Sequence, residues 1–330
     1  MRRGSIIQLV LIGLVAGAIG TAVALLVPWL PTAAGKEADR IHFVYWFTTA
    51  IAIAVFSVVT AVLGYSILKF RAAPDDFEDG PPIHGHTTLE IVWTAIPAVL
   101  VTAISIVSAV VLAENGKAGP DPLLVKVTAQ QFAWSFTYPN GRTYGSLTLE
   151  KGRSAKLDIT SNDVIHSFWV PELSQKQDAV PGQHNTIVVT PTRTGTFPVI
   201  CTELCGLGHA IMRSHVDILS QSDYAKWVSQ GGTASGPPGL AVFQQNGCGG
   251  CHTFTPAQAS GKVGPDLDKL KQEAAKANRG SLDRFVQESI VNPSAYLEPG
   301  YPDAMPKIFG QQIPKAQLAQ LVQYLVQGAR

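Results

Sequence analysis

The chain has 330 residues, with 25 lysines and arginines against 24 aspartates and glutamates and a charged fraction of only 15%. Sparse, balanced charge excludes the basic face that a nucleic-acid-binding domain needs, and the length accommodates about two or three domains. The four cysteines fall in two close pairs, Cys201/Cys205 and Cys248/Cys251, a spacing that fits metal or haem chemistry better than the disulfides of a secreted protein.

Three uncharged apolar runs open the chain: Ser5 to Val27, Phe43 to Leu68 and Ile91 to Ala113. Each exceeds the roughly 20 residues that span a bilayer. The first follows Arg2 and Arg3 and precedes the small residues Thr32, Ala33 and Ala34, so residues 1–34 read as a signal peptide or an additional transmembrane helix. The other two form a transmembrane hairpin over 42–114. Lys69 and Arg71 lie between them, and the positive-inside bias puts residues 69–87 in the cytoplasm and everything after Ala113 outside it. Glu90 stands at the start of the third run, where a helix dipole favours a carboxylate and where a buried ionisable group would serve a proton path.

NGKAGPDP, Asn115 to Pro122, reads as a connector. Residues 123–222 then change character. LLVKVTA, AKLDITS, HNTIVVT and SHVDIL are short, β-branched and separated by Gly, Pro and Asn, the pattern of an all-β sandwich or barrel. Ser222 before DYAKWV reads as the cap of a short helix. GGTASGPPG, 231–239, is a flexible linker. Beyond it, LAVFQQ, SLDRFVQESIV and KAQLAQLVQYLV repeat apolar residues at helical spacing, so 240–330 is a small all-α domain.

Two segments carry chemistry. In CTELCGLGHAIM, Cys201 to Met212, two thiols, an imidazole and a thioether gather within a dozen residues, between the strands FPVI and SHVDIL. Soft sulfur with imidazole favours copper over magnesium or calcium, and two thiolates can bridge two copper ions. Taken alone, Cys-x-x-x-Cys-x-x-x-His also suits zinc. His166, at the end of the apolar stretch in SNDVIHSFWVP, is the candidate second imidazole. In NGCGGCHTF, Cys248-x-x-Cys251-His252 is the attachment pattern of covalent c-type haem. A redox Cys-x-x-Cys does not need the following histidine. Met305, in YPDAMPKIF, is the candidate sixth ligand. His42, His84, His86, His184 and His215 belong to no motif and read as structural or solvated.

DVIHSFWVPELSQKQDAVPG followed by CTELCGLGHAIM resembles subunit II of haem–copper cytochrome c oxidases, and LEIVWTAIPA resembles the Glu-x-x-Trp-Thr-x-x-Pro of that family's second subunit helix. The resemblance implies a cupredoxin Greek-key fold holding a dinuclear copper A centre: Cys201 and Cys205 bridging, His166 and His209 one to each copper, Met212 and the Glu203 carbonyl as weak ligands. It implies a magnesium held through the Glu203 carboxylate at the interface with subunit I, and Glu90 at the mouth of a K-type proton route. The family usually has Gln-Trp-x-Trp where this chain has Gln131-Phe132-Ala133-Trp134, which puts the usual docking site for soluble cytochrome c in doubt. Residues 240–330 resemble class I cytochrome c, with GPDL at 264–267 placing Pro265 near the proximal His252.

Together these resemblances imply a multidomain membrane protein: subunit II of a caa3-type oxidase with a fused cytochrome c. The copper and cytochrome domains would lie outside the membrane of a bacterial cell. Electrons would pass from haem c to copper A and on to haem a in subunit I, which also carries haem a3–copper B, for reduction of oxygen to water with proton pumping. Implied partners are subunit I, subunit III and an upstream donor such as a cytochrome bc complex or a cytochrome c. A copper A subunit of a nitric oxide reductase and a free-standing membrane-anchored electron carrier are the alternatives.

Overall fold

The computed structural model describes residues 3–71, 82, 84–229, 238–257, 259–307 and 309–329. Two compact units account for them: one takes the N-terminal stretch through Thr32 with Asp39–Asn115, the other takes Ala33–Ala38 with Gly116–Arg330. Of the linker read at 231–239, only Pro238 and Gly239 are among the described residues.

The first unit is helical. α1 (Arg3–Leu26), α2 (Lys36–Lys69) and α3 (Thr87–Asn115) are each long and apolar enough to cross a membrane, and they leave Leu, Ile and Val side chains exposed along their lengths, as lipid-facing helices do. α1 meets α2 through small residues. A Cβ at Gly13 would lie 3.5 Å from that of Ala61, and one at Gly17 would lie 3.0 Å from the Ser57 hydroxyl. Close backbone approach of this kind replaces the hydrophobic drive that helices lack in lipid. α3 begins with a reciprocal cap: Leu89 N–H donates to His86 Nδ1 and His86 N–H donates to the Glu90 carboxylate at 3.0 Å. At its other end, Arg40 donates to the Glu114 carbonyl and to Asn115 Oδ1, a cation placed where the last carbonyls of a helix favour one.

The second unit contains a β-sandwich. Its strands are β1 (Leu123–Gln130), β2 (Ala133–Thr137), β3 (Thr143–Tyr144), β4 (Leu147–Glu150), β5 (Ala155–Ser161), β6 (His166–Val170), β7 (Gln175–Ala179), β8 (Asn185–Val189), β9 (Gly195–Cys201) and β10 (Arg213–Leu219). They form two five-stranded sheets, β3-β2-β1-β5-β8 and β4-β10-β9-β6-β7. Pairing is antiparallel except β1 with β5 and β4 with β10. Alternation sets the faces: Leu123, Val125, Val127 and Ala129 of β1 point inward, against Phe136, Leu157, Phe168 and Val216 among others. The segment after α1 is stitched to this sandwich. Ala34 N–H donates to the Glu172 carbonyl, Thr192 N–H donates to the Ala34 carbonyl, and the buried Glu37 carboxylate accepts from Thr190 N–H at 2.7 Å.

α4 (Gln221–Ser229) follows β10. Its cap is Ser220, not Ser222: Ser220 Oγ accepts from Asp223 N–H, and its carbonyl accepts from Tyr224 N–H. Either serine satisfies the sequence rule, but β10 ends at Leu219 and the helix starts at Gln221, which leaves Ser220 at the junction.

The C-terminal part comprises α5 (Pro238–Gln245), α6 (Cys248–Cys251), the short pair β11 (Thr253–Phe254) and β12 (Ala259–Ser260), then α7 (Leu270–Ala277), α8 (Leu282–Val291), α9 (Phe309–Gln312) and α10 (Lys315–Gly328). α5 crosses α10 at Gly239, where any Cβ would collide with the Gln320 carbonyl and Tyr324. Phe243, Phe254 and Tyr324 pack edge-to-face or tilted beside that crossing, the geometry ring quadrupoles favour. Ser281 caps α8 by accepting from Arg284 N–H.

Inside the sandwich, the buried Tyr138 hydroxyl both accepts from Thr148 N–H (2.7 Å) and donates to the Thr148 carbonyl (2.9 Å). Tyr138→Phe would leave both backbone groups unpaired in the core, and we expect a loss of about 1–3 kcal/mol, read as a lower thermal midpoint of the β domain by calorimetry.

Candidate metal centre

The Cys201–Met212 segment is a loop closed at its neck. β9 and β10 pair antiparallel up to Ile200 opposite Arg213, and Cys201 N–H donates to the Met212 carbonyl. Within the loop, His209 N–H donates to the Gly206 carbonyl, and Ile211 and Met212 N–H both donate to that of Gly208. These bonds turn the side chains of Cys201, Cys205, His209 and Met212 toward one point.

The donor atoms form a tight set. The two thiol sulfurs lie 3.9 Å apart. His166 Nδ1 is 3.8 Å from Cys201 Sγ, His209 Nδ1 is 3.7 Å from Cys205 Sγ, and Met212 Sδ is 3.9 Å from Cys205 Sγ. The Glu203 carbonyl oxygen is 3.4 Å from Cys201 Sγ. All six residues singled out in the sequence for this centre therefore meet at one end of the sandwich. His166, Cys201, Cys205 and Met212 are buried, whereas the Glu203 side chain is exposed.

Two supporting residues had not been singled out as part of the centre. Asp163 Oδ1 lies 2.9 Å from His166 Nε2. With Nε2 donating there, the Nδ1 lone pair is left for the cluster, the arrangement by which carboxylates orient ligand imidazoles. Gln131 donates from Nε2 to the Cys205 carbonyl at 2.6 Å, and its N–H donates to Asp163. The only sequence sign of Asp163 is a carboxylate three residues before a histidine.

These contacts split the thiols. Burial pushes Cys201 up, but hydrogen bonding to His166 and to the backbone at Glu203 and Ser167 outweighs it and brings the thiol down to about 6. Burial, reinforced by the Cys201 charge, pushes Cys205 up to about 12. Burial also works against charge on Asp163 and His166, yet their mutual hydrogen bond wins: Asp163 is lowered and His166 raised.

The second chemical segment lines a cavity in the C-terminal part, with an empty volume, counting the portion open to solvent, of about 1320 Å³. Cys248, Cys251, His252 and Met305 all face it, among Leu267, Phe285, Ile290 and other apolar side chains. His252 Nδ1 donates to the Pro265 carbonyl at 2.8 Å, which leaves Nε2 as the available nitrogen. Gly264 is obligatory beside it, since a Cβ there would lie 2.5 Å from His252 Cε1. All four cysteines are unbridged. Burial pushes Cys248 up to about 12, raises Cys251 and lowers His252. A redox dithiol needs one depressed thiol, and neither cysteine here is depressed. Three of the histidines outside the motifs have ordinary contacts: His184 pairs with Asp158, His215 with Asp217, and His86 caps α3.

Membrane-length helices, a two-sheet sandwich and a soft-donor loop at one end of it define a membrane-anchored cupredoxin-like protein with a helical C-terminal part. The chain belongs to the cytochrome c oxidase subunit II family, and is thus a subunit of an oxidoreductase. Residues 22–111 match the family model described as the cytochrome c oxidase subunit II transmembrane domain, and residues 146–219 match that of the periplasmic domain. It is 33% identical over 248 residues to cytochrome c oxidase subunit 2 of Synechocystis sp., covering 61% of this chain and 75% of that protein. It is 30% identical over 295 residues to the Alkalihalophilus pseudofirmus subunit 2, covering 82% and 86%. Among solved structures, the periplasmic domain of the Bradyrhizobium japonicum subunit II aligns at 29% identity and a TM-score of 0.32, over 35% of this chain and 95% of that one.

In the metal-free protein, one thiolate of the Cys201/Cys205 pair should form with a midpoint near pH 6 and the other only near pH 12. Thiolate absorbance in the ultraviolet reads the first step, while the second falls together with that of Cys248. His166→Ala removes the hydrogen bond that lowers Cys201 and should move the first midpoint upward.

Proposed function

We propose that this chain is the subunit through which electrons enter a terminal oxidase. In this reading Cys201 and Cys205 would hold the two ions of a copper A centre between them, His166 and His209 would each hold one, and Met212 and the Glu203 carbonyl would complete the set. Cys248 and Cys251 would tether a c-type haem, and His252 and Met305 would hold its iron. When bound, the copper pair and the haem supply one-electron oxidation and reduction.

The single observation that carries this reading is the convergence of two thiols, two imidazoles, a thioether and a backbone carbonyl, each within 3.4–3.9 Å of a cysteine sulfur. Two sulfurs at that distance can share two metal ions, and the donors are soft enough to prefer copper. Zinc needs only four donors in a tetrahedron and leaves the carbonyl and thioether without a purpose. The haem reading is supported by the cavity that joins both cysteines, His252 and Met305.

The chain's own residues do the positioning. Asp163 holds the His166 tautomer, Gln131 anchors the loop at Cys205, and the sandwich beneath keeps the ligands rigid. Burial of Cys201, Cys205 and Met212 keeps water away from the sulfurs. Pro265 and Gly264 fix the His252 ring. The exposed Glu203 carboxylate is available to a magnesium at the contact with oxidase subunit I, the partner carrying haem a and haem a3–copper B, with subunit III beside it. Glu90, exposed at the start of α3 and already accepting from His86 N–H, is assigned to the mouth of the proton route for oxygen reduction and proton pumping. The domain limits are those read from the sequence: hairpin 42–114, copper domain 123–222, linker 231–239 and cytochrome domain 240–330, with 1–34 as a leader or a further membrane helix. Both redox domains lie on the extracytoplasmic side of a bacterial membrane, reached by a cytochrome bc complex or a cytochrome c as donor.

Cys201→Ser should abolish the shared-valence copper signal in electron paramagnetic resonance and leave the haem optical spectrum intact. A normal copper signal in that variant removes the bridging assignment. Met305→Ala should lose the optical band of thioether-ligated ferric haem and lower the haem potential, because thioether ligation raises it. An unchanged band and potential reassign the sixth ligand.

A further inference from the structure

Phe132 belongs to both chemical segments. Its side chain lines the cavity that holds Cys248, Cys251, His252 and Met305. Its ring also packs on the ligand loop: a Cβ at Gly206 would lie 3.2 Å from Phe132 Cζ, and one at Gly208 would collide with the ring outright. The contact continues through backbone. A Cβ at Gly247, the residue before Cys248, would lie 2.5 Å from Ala133 Cβ and 3.3 Å from the Phe132 carbonyl oxygen, and one at Gly250 would lie 3.4 Å from the Ile211 carbonyl. Ala133 is 3% exposed at the start of β2.

Gly247 and Gly250 thus stand where the two surfaces meet, and Gly206 and Gly208 lie beneath the Phe132 ring that lines the cavity. Gly206 and Gly247 have φ of +128° and +66°, a region open to glycine and strained for other residues. A linker that merely keeps two domains near each other asks for nothing of this kind, because it acts through effective concentration and leaves their surfaces unmatched. A surface in which each bare backbone faces a particular ring, methyl group or carbonyl is a packed one.

We propose that the C-terminal helical part is seated on the ligand loop by a built, glycine-lined contact wedged by Phe132, and that this contact rather than the linker fixes the geometry between the two segments. Phe132 is a positioning residue here: it spaces the Cys-x-x-Cys-His segment from the Cys201–Met212 loop. Its use in electron transfer rests on the function proposed above, while the contact itself does not.

The test is hydrogen–deuterium exchange on the full-length protein, following peptides that cover 131–135, 205–211 and 246–251. Copper and haem are assayed on the same samples. Lengthening the linker by about 20 Gly/Ser residues dilutes a tethered domain but should leave protection of these peptides unchanged. Ala133→Leu inserts side chain where Gly247 sits and should speed exchange in all three peptides by at least about tenfold, with β5 unaffected. Phe132→Ala, which only removes atoms, should act in the same direction and serves if Ala133→Leu fails to fold. Exchange that rises with linker length, or that ignores both substitutions, overturns the contact. Protection without copper or haem in the sample sinks the proposed function and leaves the contact standing.

Discussion

Everything at the metal centre depends on the closure of one loop. Cys201 ends β9, Met212 precedes β10, and the hydrogen bond from Cys201 N–H to the Met212 carbonyl holds the two ends together. With the neck shut, ten intervening residues have few ways to run, and four further backbone bonds in the loop select one. Sulfur, imidazole and thioether are then brought to a common point. The sandwich supplies the stiffness behind this: Phe168 on β6 pairs with Cys201 on β9, so His166, two residues earlier on β6, is held in register with the loop.

The two parts of the second unit solve the same problem differently. In the sandwich, hydrogen bonds aim the ligands, and Asp163 decides which imidazole nitrogen is free. In the helical part, space aims them. Gly264 lets the His252 ring lie flat against the chain, and Pro265 offers a carbonyl to one nitrogen so that the other faces the cavity. The first device tunes charge, and its thiols are driven far apart in acidity. The second suppresses charge, with both thiols raised and the histidine lowered by burial.

Much of this was legible in the sequence because the signals are local. The strands LLVKVTA, AKLDITS and SHVDIL alternate cleanly, the three apolar runs exceed a bilayer, and the ligand loop and the Cys-x-x-Cys-His segment are contiguous. His166 was reachable because it borders an apolar stretch, although it opens β6 rather than closing a strand. What stayed hidden depends on distant parts of the chain. Asp163 gains its meaning only when the loop before β6 folds back over His166. Gln131 reaches Cys205 across 74 residues. Ser220 and Ser222 are equally good caps on paper, and only the end of β10 chooses between them. The glycines around Phe132 look like ordinary loop glycines until two surfaces meet.

Gln131 and Asp163 also set the size of the smallest transplantable unit. The dozen residues from Cys201 to Met212 look like a cassette that could be moved onto any sandwich with a suitable hairpin. Moved alone, they would leave behind the carboxylate that orients His166, the amide that anchors the Cys205 carbonyl, and the strand end that carries His166 itself. A working graft therefore has three pieces: the loop, the turn from Ser161 to His166, and the end of β1 through Gln131. The donor set is written in one stretch of sequence, but its heritable module is a discontinuous patch, and recombination that shuffles hairpins singly would break it.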